Sequence, residues 1–229
     1  MRIRPVGAHA LLLDCTTTTT DEDVPDDVPE VDLVEAWRAE LWRRREQGDL
    51  VAVEIVPAAS TVLLDGLPDP TATAEQLTRW AGDIAATNRP AAADADAKTT
   101  DRAAREVVVP VCFDGPDLPT VAEHWNVDVP AVLRRLTGTR FRVAFCGFAP
   151  GFPYLTGLPA ELALPRLATP RPRVPAGSVA LAGPYAGIYP GASPGGWQLV
   201  GRTELVLFDV HADPPARLGP GTSVRMVAT

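Results

Sequence analysis

From Phe141 onward the chain is written in short apolar runs cut by glycine and proline: FRVAF, GSVALAG, GIYP, GWQLVG, ELVLFD and GTSVRMV. Proline fixes φ and removes a backbone donor, so a helix of ordinary length does not survive such spacing. Several short runs separated by turn residues predict an all-β barrel or sandwich. The chain carries 24 prolines, clustered after residue 110, and helices are not expected to dominate that half.

The N-terminal part reads differently. HALLLD predicts a strand, and residues 16–31 form a low-complexity acidic insertion expected to be solvated. A helix follows, with Asp32 and Glu35 in a capping-box pattern, Leu33, Val34, Trp37 and Leu41 at helical spacing, and Gly48 as a stop. VAVEIV and STVLLD predict two strands. TAEQLTRWAGDIA predicts a second helix opened by Thr73 and Gln76. Strand, helix, strand, strand, helix is the order of a ferredoxin-like α+β unit, placed at residues 1–88. Residues 87–104 lose apolar periodicity and are expected to be a linker, so the second domain runs over 105–229. It opens with the strand EVVVPVCF and two short helices, one beginning at Asp117 with Val121, Ala122 and Trp125, the other at Asp128 with Val132, Leu133 and Leu136. These helices are expected to pack rather than to read DNA, because only Arg134 and Arg135 make the second one basic.

A formal charge of -8 disfavours nucleic acid as a partner. The N-terminal apolar run ALLL is far too short to span a bilayer or serve as a signal core, so a cytoplasmic protein is expected. The three cysteines, Cys15, Cys112 and Cys146, are odd in number and widely spaced, as expected of reduced thiols. His9, His124 and His211 form no ligand pattern, and no metal site is expected. The only lysine, Lys98, has no glycine-rich loop before it, which removes Walker-type and kinase-type nucleotide sites. GASPG at 191–195 has the spacing of a serine-hydrolase elbow, but Pro194 has no N–H to serve as the oxyanion donor.

The segment 145–203 concentrates unusual chemistry. Arg166, Arg171 and Arg173 stand on a proline-stiffened backbone, and the guanidinium fork suits carboxylate or phosphate. Phe152, Tyr154, Tyr189 and Trp197 offer aromatic walls, and Gly147, Gly151, Gly195 and Gly196 allow backbone amides close to a ligand. Together they predict a pocket for a small anion. Within FCGFAPGFPYL (145–155), Phe145 and Phe148 are expected to face the barrel interior. Phe152 and Tyr154 are expected to face a ligand or partner.

Three ordered motifs, GFAPGFPYL, PRLATPRPRVPAGSV and GIYPGASPGGWQLVGRT, resemble the family of the 5-oxoprolinase B subunit, also known as allophanate hydrolase subunit 1 and as the Kip-type inhibitor of a histidine kinase. The resemblance implies a cyclophilin-like β-barrel for the C-terminal domain. It further implies two partners: a C subunit with a related barrel, and an A subunit that completes the reaction. The B and C proteins together would activate 5-oxoproline with ATP and Mg, bound in the assembled complex rather than tightly by this chain alone. On this basis Arg166, Arg173 and Arg202 are candidates for phosphate or carboxylate, Tyr154, Tyr189, Trp197 and Phe152 for pocket walls, Ser178 and Ser193 for hydroxyl contacts, and Gly195 and Gly196 for amide contacts. No catalytic residue is assigned. The alternative implied by the same family is a regulatory protein that inhibits a histidine kinase; a proline isomerase would follow from barrel shape alone. Two positions depart from the family pattern, Leu136 standing for a common histidine and Ala186 for a threonine.

Overall fold

A computed structural model describes residues 1–16, 30–87 and 106–229. Nearly all of the acidic insertion and of the expected linker lies outside the described residues. The chain divides into two compact units, Met1–Asp101 and Arg102–Thr229.

In the first unit the elements are β1 (Arg2–Val6), β2 (Ala10–Asp14), α1 (Glu30–Gln47), β3 (Glu54–Pro57), β4 (Thr61–Asp65) and α2 (Pro70–Thr87). One sheet, ordered β1-β2-β4-β3, is antiparallel throughout. Strand β1 was not anticipated: RIRPV alternates arginine and proline with apolar residues and lies at the sheet edge, where a proline without an N–H is tolerated. It pairs antiparallel with β2. Both capping boxes are corrected. Helix α1 begins two residues before Asp32, and Glu35 pairs with Arg38 through two 2.7 Å bonds. Helix α2 begins at Pro70, where a missing N–H costs nothing, and Asp69 accepts from Ala72 N–H at 3.0 Å. Gly48 ends α1 at φ +82, a conformation glycine adopts without penalty. Val34, Trp37 and Leu41 of α1 and Leu77 and Ile84 of α2 join the sheet residues Leu11, Leu13, Val62 and Leu64 in one core.

The second unit contains β5 (Val107–Val111), α3 (Leu118–His124), α4 (Val129–Gly138), β6 (Arg140–Cys146), β7 (Pro153–Thr156), a 3-10 turn (Ala160–Leu162), β8 (Arg171–Val174), β9 (Ser178–Ala182), β10 (Tyr185–Ile188), β11 (Ser193–Gly195), β12 (Gln198–Arg202) and β13 (Ser223–Ala228). Seven strands form one sheet in the order β12-β9-β10-β7-β6-β13-β5. Its two edges meet where Cys112 and Arg202 exchange N–H···O bonds of 2.9 Å each way, so the sheet is a nearly closed barrel. Gly201 permits that seam: a Cβ there would sit 2.6 Å from the Cys112 carbonyl. ELVLFD, expected as a strand, is not one. With β12 and β5 meeting across the seam no edge is left for it, and its only bridge is Phe208 to Ala216.

Alternate residues of β9, β10 and β12 serve two different cores. Val179, Leu181, Ala186, Ile188 and Val200 point into the barrel with Val121, Val132 and Leu136 of the helices. Ala180, Ala182 and Leu199 point outward beneath a second, aromatic cluster. Leu136 and Ala186 are both fully buried among the barrel residues, so the two departures from the family pattern are core positions here. Helix α4 is capped as anticipated, Asp128 accepting from Ala131 N–H at 2.8 Å.

Candidate functional site

FCGFAPGFPYL folds as the end of β6, a tight turn and β7. The turn closes through Ala149 N–H to Gly147 O (2.7 Å), Phe152 N–H to Ala149 O (3.0 Å) and Gly147 N–H to Phe152 O (3.2 Å). A register shift between Val143 and Phe145 turns Phe145 out of the barrel. Its ring stacks on Tyr154 at 4.3 Å and 17°. Phe152 is the centre of the outer cluster, 5.2 Å from Tyr154, 5.1 Å from Tyr189 and 5.4 Å from Trp197. The expectation for this segment is therefore corrected on three residues. Phe145 serves the outer cluster; Phe152 is 1% exposed and buried within that cluster; Phe148 is 63% exposed, held at φ +66, a region costly for a bulky side chain.

A two-stranded ribbon of β8 and β11 accompanies the cluster. Its anchor is Asp117. The sequence marks this residue as the start of α3, yet its carboxylate makes no bond to the helix. One oxygen accepts from Arg171 Nη2 at 2.7 Å and the other from Leu199 N–H at 2.6 Å. Arg171 also donates to Trp197 O at 3.4 Å. Arg171 is thus committed to holding β8 against β12. Neither Arg171's partner nor Asp117's role was read from the sequence; the one available signal was that an arginine between prolines must find a carboxylate if it is partly buried.

The structure brings Phe152, Tyr154, Tyr189, Trp197, Gly195 and Gly196 together. The Tyr189 hydroxyl lies where a Cβ on Gly195 would fall. Burial pushes the Tyr189 phenol above its ordinary value, Tyr154 adds to the push, and the nearby Arg166 and Arg171 oppose it. Ser193 lies in the ribbon opposite Val174, a strand position rather than a strand-to-helix elbow. Its Oγ is buried without a hydrogen-bond partner. Arg166 and Arg173 are exposed and make no ion pair among the described residues. Arg202 is not part of this group. It pairs with Asp114 at 2.9 Å and stands five residues beyond Trp197, roughly 16 Å along an extended strand. Buried Ser178 is its neighbour across β9 and β12.

Tyr189 and Trp197, expected as pocket walls, are buried with Phe152, so toward solvent the segment offers the half-buried Tyr154, the exposed Phe148 and the unpaired guanidinium forks of Arg166 and Arg173, donors suited to a small anion. It offers no ready nucleophile. Cys146 donates to Leu218 O at 3.2 Å, and burial pushes its thiol up to about 11. Among the described residues no group of three or more His, Cys, Asp or Glu converges as a metal site, and no helix is long and apolar enough to cross a membrane.

Comparison with known proteins agrees with this architecture. The family described as "Carboxyltransferase domain, subdomain C and D" matches residues 1–218. The chain is 49% identical over 126 residues to the 5-oxoprolinase B subunit of Escherichia coli O157:H7, covering 54% of this chain and 58% of that protein. It is 44% identical, again over 126 residues, to the protein of the same name from Bacillus subtilis (strain 168), covering 54% of this chain and 52% of that protein. The aligned region thus spans little more than half the length of these relatives. Among solved structures, TTHA0988 superposes over 100% of this chain and 40% of its own with a TM-score of 0.67 at 31% identity. The Kluyveromyces lactis urea amidolyase shares the fold, with a TM-score of 0.64 at 21% identity over 99% of this chain and 15% of its own. The chain belongs to the carboxyltransferase-domain family, subdomain C and D, and its curated relatives there are 5-oxoprolinase B subunits.

Proposed function

We propose that this chain is the B subunit of a cytoplasmic, ATP-dependent 5-oxoprolinase, a protein without activity on its own that works with a C-subunit homologue, and with an A-subunit homologue, to open 5-oxoproline to glutamate. The observation that supports the reading is that the three sequence motifs come together on the second unit: Phe152 and Tyr154 of GFAPGFPYL, Val174 of PRLATPRPRV, and Tyr189 and Trp197 of GIYPGASPGGWQ pack in one cluster, and β8 pairs with β11. The curated relatives that share these motifs are named as the B subunit of 5-oxoprolinase.

In this reading Arg166 and Arg173 receive the carboxylate or phosphate, because they are the arginines of PRLATPRPRV left without an acidic partner, half-buried Tyr154 stands at the wall, and buried Tyr189 and Trp197 support it from behind. Arg202 and Ser178 hold the barrel seam instead. Bound ATP would supply a phosphoryl group that activates the lactam carbonyl carbon toward water, after which the ring C–N bond breaks, the nitrogen takes a proton and the phosphoryl group leaves as phosphate. The metal that accompanies it needs oxygen donors, and we assign these to the partner protein. The finer architecture belongs to the same proposal: the first unit is ferredoxin-like with β1 in place of a last strand, the second is cyclophilin-like, and they are separate domains.

The test is reconstitution. The purified chain and its C-subunit and A-subunit homologues are mixed with 5-oxoproline and ATP, and glutamate is measured. The expected result is ATP-dependent release that needs all three proteins and drops in the Arg166→Gln, Arg173→Gln double variant. Full release without this chain, or none with all three, refutes the reading.

A further inference from the structure

Where α4 runs into β6, the second unit carries a groove of about 480 Å3 whose lining includes His124, Trp125, Arg135, Thr139, Glu161 and Leu162. Its floor is the Trp125 ring, 7% exposed. The indole Nε1–H donates to Leu162 O at 2.9 Å and so fixes the ring plane. The Arg135 guanidinium carbon stands 5.8 Å from the ring centroid, within reach of a cation–π attraction. Arg135 and Glu161 make no ion pair among the described residues, whereas the adjacent Arg134 is engaged by Asp128 at 3.7 Å. The Thr139 hydroxyl donates to Arg135 O at 2.7 Å, which leaves its oxygen able only to accept from the groove. His124 Nδ1 donates to Thr120 O at 2.9 Å, so Nε2 is its remaining nitrogen.

The groove therefore presents a cationic fork, the exposed edge of a fixed aromatic ring beside the apolar Leu158 and Pro159, and a set of acceptors. A ligand that satisfies all three has a carboxylate, an apolar body and an N–H-bearing cation. We propose that this groove binds a free apolar amino acid, its carboxylate on Arg135, its ammonium on Glu161 and Thr139, and its side chain against Trp125. The site is separate from the aromatic cluster and stands whether or not the function proposed above is correct.

The test uses the full chain with 15N-labelled tryptophan, following the indole N–H signals by NMR, with Trp125→Phe assigning the reporter. L-Leucine and 4-methylpentanoate, its analogue without the amine, are titrated to ~10 mM, above the millimolar affinity expected of so few contacts. L-Leucine is expected to move the Trp125 signal saturably and to leave those of Trp37, Trp42, Trp80 and Trp197 in place. Arg135→Gln should weaken binding at least roughly tenfold, the effect of losing a charge-assisted pair, and Glu161→Gln should abolish the preference for L-leucine over 4-methylpentanoate. Both side chains are exposed, and unchanged signals from the other four tryptophans confirm folding. No saturable shift with L-leucine, equal binding of the two compounds to the unaltered chain, or wild-type affinity in Arg135→Gln overturns the proposal.

Discussion

Asp117→Ala takes away one carboxylate that serves two elements at once, Arg171 of β8 at 2.7 Å and the Leu199 N–H of β12 at 2.6 Å. The Asp117 side chain is 11% exposed and that of Arg171 27%, so the pair is only partly screened. A hydrogen bond to a charged group contributes about 1.5–3 kcal/mol, and a buried N–H left without an acceptor costs about 1–3 kcal/mol. Water can reach the gap from the Arg171 side, so we expect a loss of about 3 kcal/mol rather than the full sum. Arg171→Met should cost somewhat less, about 1.5–2.5 kcal/mol, because the carboxylate keeps the Leu199 N–H while losing its cation. The two changes share a partner, and a double-mutant cycle should show a coupling of about 1 kcal/mol. Urea unfolding of the four proteins, followed by near-ultraviolet circular dichroism of the aromatic cluster, measures each value. A loss below about 0.5 kcal/mol in Asp117→Ala, or additive changes within about 0.3 kcal/mol, would refute the assignment of Asp117 as the anchor.

The two phenylalanines of the GFAPGFPYL turn should behave oppositely. Phe152→Ala empties the centre of the outer cluster and is expected to cost about 3–5 kcal/mol, whereas Phe148→Ala, at a 63% exposed side chain that makes only edge contacts with Phe152 and Tyr189, should cost no more than about 1 kcal/mol. Cys146 should react with iodoacetamide at pH 8 far more slowly than Cys15 in urea-unfolded protein, since its thiol is pushed up to about 11 by burial. The same shift means the folded state holds that proton more tightly than the unfolded one. Its contribution is complete below the unfolded thiol's value and fades as pH rises toward the folded value, so Cys146→Ala should flatten the loss of stability between about pH 9 and 11.

Much of this was legible in the sequence, for physical reasons that differ from one element to the next. Asp128 was readable as a cap because its side chain does what an isolated helix start requires. Asp117 looked the same and was not, because its acceptors were claimed by Arg171 and Leu199, distant in sequence. The ribbon β8–β11 was invisible as strand because RPRV and SPG are rich in proline, and only pairing across the chain reveals them. Phe152, Tyr154, Tyr189 and Trp197 do cluster, but their facing was divided at the Pro-Gly turn, Phe145 and Phe148 inward and Phe152 and Tyr154 outward, and the register shift between Val143 and Phe145 cannot be read from composition. ELVLFD had the composition of a strand and lacked only a free edge to join.

The two-sided burial of β9 has a consequence for how this barrel keeps its strands in line. In most sheets a one-residue slip is punished because it drags polar residues into the core. Here, beyond Ser178 at its start, both faces of β9 are apolar and buried, so polarity carries little such information. Size does. The residues of β9 facing into the barrel are Val179 and Leu181, while those beneath the rings are Ala180 and Ala182, beside Gly187 of β10, where even a methyl group would lie 2.8 Å from Trp197 and 2.9 Å from Phe152. A slip would set branched side chains under the rings and leave voids inside, two packing faults in place of one solvation fault. The alternation of large and small along SVALA is thus a register code written in volume, and the aromatic cluster is the gauge that reads it.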